Sequence, residues 1–460
     1  MALIKRFFIL NILILFVQMA FSKSNEDTYF QKGERVCFVG NSITNNGEFH
    51  HNILLYYITR FPEKEVTFYN CGVSGDVTGG ILGRMEDDIL SHKPSTVVLM
   101  IGMNDVRRSL YADKATSNKD TLALRQKAID IYKENLEKII NVLLTEKINI
   151  ILQKPSIYDQ TAHISTPNNL GVNDALKICA DFVESLGVKY KLSVVDYWTI
   201  LNKTNVELQQ KDPTATIVGN DRVHPGAVGH FIMAYEFLKT QELPSLVSNI
   251  IINSKSKKTD KSYNCVIKDL NTDKQQIKFT VKENALPFPT ISTQGQALKL
   301  VPFMNELNKE LLQITGLENG NHCLYIDDTL IGKFTNSQLS EGVNLAQFSN
   351  TPQFQQALKV RTVLTELWKL EAQLRSIKFI EYCNDIKQCL DKSNPEAVVN
   401  YLRPIFDKKN STFYTMQLNN YAANKKKEAD LIQKLDELRK KAYIAAQPTE
   451  HTFRIVPESK

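Results

Sequence analysis

Cysteine is scarce in this chain: seven among 460 residues, an odd number, with no Cys-x-x-Cys pair. Such a set makes neither a disulfide framework nor a cysteine-held zinc site. Cys37 and Cys71 fall in apolar runs and read as buried thiols, Cys383 and Cys389 are poorly spaced for a bridge within one helix, and Cys265 with Cys323 is left as an open pairing. Also missing are a His-x-x-x-His pair and a Gly-x-x-x-x-Gly-Lys phosphate loop, so no metal and no organic cofactor is expected. The net charge of +6 is mild for this length, and Lys255, Lys257, Lys258 and Lys261 read as a solvated linker, so nucleic acid is not an expected partner. Beyond the N-terminus no apolar run is long enough to span a bilayer.

The N-terminus carries Lys5 and Arg6, then an apolar run over Phe7 to Val17 broken only by Asn11, then the small residues Ala20 and Ser22 before Lys23. This is the pattern of a secretory signal over residues 1–22. Its apolar core is too short for a comfortable membrane span. The mature chain is therefore expected to be secreted or periplasmic.

What the chain does have is four short motifs in a fixed order: Gly40-Asn41-Ser42, Gly72-Val73-Ser74-Gly75, Gly102-Met103-Asn104-Asp105 and Asp221-Arg222-Val223-His224. Each alone is an ordinary turn or surface pair. Together they supply a serine nucleophile, donors for an oxyanion, and a base with an orienting carboxylate. A serine hydroxyl needs a neighbour to take its proton, and that base needs a partner to fix its tautomer. His224 is the candidate base and Asp221 the candidate orienter, because a carboxylate three residues away in a turn can reach the imidazole. Ser74, a loop hydroxyl without a nearby base, reads as structural. Gly72-Val73-Ser74-Gly75 also fails the Gly-x-Ser-x-Gly elbow by one residue. His50 and His51 read as surface or packing residues, and His92 and His163 lack partners at ligand spacing.

With these residues in place the chain resembles the SGNH (GDSL-type) hydrolases, a family of esterases and lipases. The name-giving residues match in order as Ser42, Gly75, Asn104 and His224, over Gly33 to Lys239. The resemblance implies a flavodoxin-like doubly wound parallel sheet and an acyl-enzyme on Ser42. It also implies an oxyanion hole of the Ser42 N–H, the Gly75 N–H and the Asn104 amide. In the family a backbone carbonyl sometimes replaces the carboxylate, so His224 bears more weight than Asp221. The implied substrates are carboxylic esters: O-acetyl groups on carbohydrate first, short-chain lipid esters behind. One departure is Asn41, where the family usually has Asp. Asn is nearly isosteric and still accepts a hydrogen bond, but lacks the charge.

Independent of the resemblance, apolar runs alternate with helical patterns. Strands are expected at Arg35–Val39, Val66–Asn70, Thr96–Ile101, Ile148–Leu152 and Leu192–Val195. Helices are expected at Phe49–Thr59, Gly80–Leu90, Leu122–Glu146, Asn173–Leu186 and Ala227–Lys239. That alternation predicts an α/β domain over residues 23–250, its site beyond the carboxyl ends of the strands. Ser42, Gly75 and Asn104 all fall just after strands. Specificity is assigned to loops around Tyr158 and Ile164 and to the C-terminal half.

A Ser/Lys-rich stretch at Ile252–Lys261 marks a boundary. Beyond it, residues 262–345 read as a small β-rich module, with strands at Asn264–Leu270 and Gln276–Lys282, another beginning at Leu311, and a hairpin over Cys323–Phe334. Residues 353–447 read as helical: one long helix over Phe354–Gln388, a shorter one from Glu396, and a third over Phe413–Ala446. A stripe of Val363, Leu364, Leu367, Leu370 and Leu374 suggests an antiparallel hairpin, with Trp368 in its core. Two rival readings use the same residues or none of them: acyl transfer to a glycan, and non-catalytic glycan binding or assembly.

Overall fold

The computed structural model describes residues 30–112, 119–273 and 275–458, so the signal sequence expected over 1–22 lies outside the described residues. Five strands, β1 (Arg35–Gly40), β2 (Thr67–Gly72), β3 (Thr96–Met100), β4 (Asn149–Gln153) and β5 (Ser193–Val195), form one sheet in the order β2-β1-β3-β4-β5. All four pairings are parallel. Around the sheet run α1 (Ser42–Asn46), α2 (Glu48–Arg60), α3 (Thr78–Gly83), α4 (Lys119–Thr145), α5 (Val172–Tyr190), α6 (Tyr197–Gln209) and α7 (Ala227–Thr240). Val36, Phe38 and Val98 pack against Ile53, Tyr57 and Phe237 of α2 and α7 on one face. Cys37, Val39 and Leu99 pack against Leu136, Ile140 and Val183 of α4 and α5 on the other. Cover on both faces is why these strands read as unbroken apolar runs. The order is the doubly wound one implied by the resemblance, and it reverses direction at β1 and β3, where such sheets bind ligands.

The helix expected over Gly80–Leu90 is broken. Regular α-structure ends at Gly83, and a π-helical turn over Met85–Ile89 and a 3-10 turn over Leu90–His92 follow. Wide turns of this kind often accompany functional sites. Here the irregularity coincides with the burial of Arg84 and Asp88, which pair at 2.6 Å.

Two further sheets build the second half. One has the order β13-β10-β6-β7 and the other β12-β11-β14-β9-β8. Their strands are β6 (Leu246–Asn253), β7 (Lys258–Tyr263), β8 (Cys265–Thr272), β9 (Ile277–Glu283), β10 (Lys309–Thr315), β11 (Asn321–Ile326), β12 (Thr329–Thr335), β13 (Val343–Asn344) and β14 (Glu450–Pro457). Ile250, Ile252, Leu312 and Ile314 of the first meet Phe279, Val281, Leu324 and Phe453 of the second in one core. The stretch read as a linker is the β6–β7 hairpin, its turn closed by Asn253 Oδ1 accepting from the Lys255 and Ser256 N–H groups. The exposed edge strand β7 carries Lys258 and Lys261, with Lys255 and Lys257 in the turn before it, and charged edge strands resist further pairing. The β unit also takes in β14, between β11 and β9, from beyond residue 447. The helices between are therefore an insertion.

That insertion comprises α8 (Pro352–Tyr382), α9 (Pro395–Lys408), α10 (Thr412–Asn424) and α11 (Glu428–Ala445). The single helix expected over Phe413–Ala446 is two, separated by a 3-10 turn at Lys425–Lys427. Lys425 at that corner binds Glu381 of α8 and Glu428 of α11. Ala357, Val360, Leu364 and Leu367 of α8 share one core with α2 and α7 of the α/β domain. All seven cysteines are free thiols, Cys265 and Cys323 included. Among the described residues no helix is long and apolar enough to cross a membrane.

Candidate active site

The nucleophile loop is set by contacts that leave no room for other side chains. At Gly40, the end of β1, a Cβ would meet Thr44 Oγ1 at 2.3 Å and the Met100 carbonyl at 2.4 Å. Asn41 is buried and caps α1, its Oδ1 accepting from the Ile43 N–H at 3.2 Å. A cap needs an acceptor and not a charge, which is how Asn serves where Asp is usual. Ser42 then opens α1, where backbone N–H groups have no intrahelical acceptor.

Ser42 Oγ lies 2.7 Å from His224 Nε2, across 182 residues of sequence. His224 Nδ1 lies 2.5 Å from Asp221 Oδ2, and Asp221 Oδ1 accepts the N–H groups of Val223 and His224, both at 3.0 Å. Burial alone would raise the Asp221 carboxyl, but these bonds from His224 and the backbone hold it well below the usual carboxylate range. It is therefore ionised throughout the neutral range, which suits a carboxylate bonded to an imidazole N–H.

The turn that presents His224 is held by Arg222, which sequence reasoning passed over. Arg222 is buried at φ +66°, and its guanidinium donates to the carbonyls of Asp159, Ala162, Ile164 and Thr166 at 2.9–3.2 Å. The one signal for it was its place inside the fourth motif.

Gly75 has φ +84°, a conformation glycine adopts without strain. Asn104 donates one amide hydrogen to the carbonyl of Asp76 at 3.0 Å, which sets Asn104 beside the residue following Gly75 and leaves its second N–H available. Asp105 is locked behind this loop by the Thr78 N–H at 2.8 Å and hydroxyl at 2.7 Å, with its carboxyl pushed up to about 6 by burial. Ser74 Oγ donates to Asn45 Oδ1 at 3.3 Å, a structural bond.

Over Ser42 and His224 lies a cavity of about 720 Å³ whose far wall is Lys369 and Gln373 of α8 and Phe413, Met416, Gln417 and Asn420 of α10. Tyr158 and Ile164 do not line it. Tyr158 is buried with its hydroxyl accepting from the Asn169 N–H at 2.9 Å, and Arg222 ties down the 159–166 loop. The cavity wall opposite Ser42 and His224 thus comes from α8 and α10 rather than from those loops.

His50 and His51 are packing residues, but on an interface. His51 Nε2 meets Glu371 Oε1 of α8 at 2.6 Å, and its ring stacks on Trp368 at 4.6 Å. His50 stacks on Phe38 at 4.8 Å, and burial, with the neighbouring His51, pushes it down to about 3. His50, His51 and Glu371 are close enough to offer three ligand atoms to a metal. Each, however, is already bonded: His51 to Glu371, and His50 Nε2 to the Thr44 carbonyl at 3.1 Å.

A flavodoxin-like sheet carrying Ser, His and Asp in hydrogen-bonded series at its carboxyl edge defines a hydrolase of the α/β class. Residues 38–232 match the GDSL-like Lipase/Acylhydrolase family. The chain is 30% identical to a solved gut microbial diltiazem-metabolizing enzyme, with a TM-score of 0.84 over 94% of this chain and 99% of that one. It is 27% identical over 226 residues to an acetylxylan esterase from Geobacillus stearothermophilus, covering 45% of this chain and 93% of that one. The chain belongs to the GDSL-like lipase/acylhydrolase family, and the class of its reaction is carboxylic ester hydrolysis.

Proposed function

We propose that this chain is an exported serine esterase that removes O-acetyl groups from carbohydrate. The observation that carries the reading is the Ser42–His224–Asp221 series, open to the cavity. Ser42 Oγ attacks the ester carbonyl carbon as His224 Nε2 takes its proton. Asp221 holds the Nδ1–H and balances the imidazolium charge. The carbonyl oxygen becomes an oxyanion facing the Ser42 N–H, the Gly75 N–H and the Asn104 amide, each worth roughly 3 kcal/mol to the transition state. The C–O bond to the alcohol breaks and the alcohol leaves with the proton from His224. Water then attacks the acyl-enzyme and gives a proton to His224, which passes it to Ser42 Oγ as the acyl C–O bond breaks, releasing acetate and free Ser42.

Four features favour hydrolysis of acetylated glycans. The side chain of His224 is 46% exposed, so water reaches the acyl-enzyme. The cavity wall offers the amides of Gln373, Gln417 and Asn420 and the ammonium of Lys369 to a hydroxyl-rich alcohol, with Phe413 and Met416 as apolar surface. One relative is an acetylxylan esterase, and the first residues carry a secretory pattern. The test is an acyl panel from acetyl to octanoyl on nitrophenyl esters, together with acetylated xylan and pectin. Acetate release that vanishes in Ser42→Ala is expected. Full activity in Ser42→Ala would overturn the assignment.

A further inference from the structure

The inserted helices do more than wall the cavity. Val73, inside the second motif, belongs to the apolar core of the helical unit, with Ile377, Ile380, Val398, Leu402 and Tyr421. Two residues before Ile377, Arg375 of α8 reaches beneath the same loop. Its Nε donates to the Gly72 carbonyl at 2.9 Å, and its two terminal nitrogens hold both oxygens of Asp88 at 2.8 and 2.9 Å. Asp88 also binds Arg84 Nη1 at 2.6 Å, and Arg84 Nε binds Asp76 Oδ2 at 2.9 Å. The Asp76 carbonyl in turn holds the Asn104 amide at 3.0 Å. Gly75 lies between the two ends of this series, Gly72 and Asp76.

Arg84, Asp88 and Arg375 are buried and the Asp76 side chain is only 8% exposed, so the series is balanced at two cations and two anions and is short of water to replace a missing member. Burial would raise the Asp88 carboxyl, but the doubly bonded Arg375 and then Arg84 hold it low. Both ends of the Gly72–Asp76 loop thus hang on an arginine roughly 300 residues further along the chain. Bidentate guanidinium pairs fix direction as well as distance, which a lysine cannot do.

We propose that Arg375 is a positioning residue for ester hydrolysis: through Gly72 and the Asp88–Arg84–Asp76 series it holds the Gly75 N–H and the Asn104 amide on the oxyanion. This rests on the reading of Gly75 and Asn104 as oxyanion donors. The insertion is then a working part of the active site.

The test uses the full chain on 4-nitrophenyl acetate, with Arg375→Ala, Arg375→Lys and, as control, Leu402→Ala in the core of the helical unit. Arg375→Ala is expected to lower kcat on the order of 10²-fold, with KM within about threefold, because small misplacement of oxyanion donors costs rate and not ground-state binding. Millimolar guanidinium is expected to restore about a tenth or more of the lost kcat by refilling the site between Gly72 and Asp88. Arg375→Lys, which keeps the charge, is expected to fall between. Leu402→Ala is expected to lower the thermal midpoint with kcat within about twofold. A folded Arg375→Lys or Arg375→Ala with wild-type kcat would overturn the proposal. So would a kcat loss that tracks only the folded fraction and ignores guanidinium. Failure of the esterase reading itself shows separately, as turnover surviving in Ser42→Ala.

Discussion

The two sides of the cavity are made differently. On the side of the sheet, Ser42, Gly75 and Asn104 sit two to four residues beyond the ends of β1, β2 and β3, Ser42 as the first residue of α1. Their positions follow from glycines with no space for a Cβ, a positive φ, and capping bonds. On the facing side, α8 and α10 present Lys369, Gln373, Gln417 and Asn420 from ordinary helix positions. In the proposed mechanism the reacting groups tolerate little displacement, and they hang from the rigid edge of a sheet. The groups proposed to select the alcohol tolerate more and are carried on a separate insertion. Arg375 and Val73 are where the two meet.

The largest effects separate the sides by kind. Ser42→Ala and His224→Ala should each lower kcat on nitrophenyl acetate by about 10⁴–10⁶-fold, and the double variant should be no worse than either, because the two act as one unit. Asn104→Ala should cost about 10²–10³-fold, also in kcat. Steady-state kinetics on folded protein checks both. Gln417→Ala and Asn420→Ala, on the other side, should raise KM for acetylated xylo-oligosaccharide by about 3- to 30-fold and leave nitrophenyl acetate nearly unchanged. A fall in kcat on the small ester as deep as that of Asn104→Ala would break the division between the two sides.

A fourth prediction concerns stability. His50 and His230 are both buried and pushed down to about 3, chiefly by loss of hydration. Each is neutral in the fold and binds a proton on unfolding in acid. Their contribution is complete above pH 6.5 and is lost as pH falls toward 3, at up to about 1.4 kcal/mol per pH unit for each. Glu371 adds in the same sense. Burial opposes its ionisation, but His51 and its other partners hold it down to about 2, so its contribution is present above pH 4.5 and fades below. Denaturant midpoints at pH 7, 5.5 and 4.5 should therefore fall in order, and a flat series would contradict the buried-histidine account. The smallest effect is at Asn41. Asn41→Asp should leave kcat within about threefold and stability within about 0.5 kcal/mol, since both residues cap equally well.

The α/β half was legible in the sequence for a physical reason: strands covered on both faces are continuous apolar runs, and the motifs fall at their ends. Ser42, His224 and Asp221 are brought together as the motif order implied, and Gly75 and Asn104 flank Asp76. Legibility fails where surroundings outweigh local pattern. Edge strand β7 is solvated on every residue and so looks like a linker. β14 lies 167 or more residues from β9 in sequence yet beside it in the sheet. The corner at Lys425 is set by Glu381, on another helix. Arg222 and Arg375 are surface-type residues by composition, and only distant carbonyls and Asp88 give them a reason to be buried. Tyr158 misled because an aromatic near a site is equally a core residue.

The most direct test of the account is to trap the acyl-enzyme. Protein mixed with an acetyl ester, quenched in acid within a turnover and digested, would be examined by mass spectrometry. One added acetyl group is predicted on the peptide containing Ser42, accumulating when water attack is slowed, and absent in both Ser42→Ala and His224→Ala. Turnover at the normal rate with no acetyl on Ser42, or with the label on another residue, would contradict it.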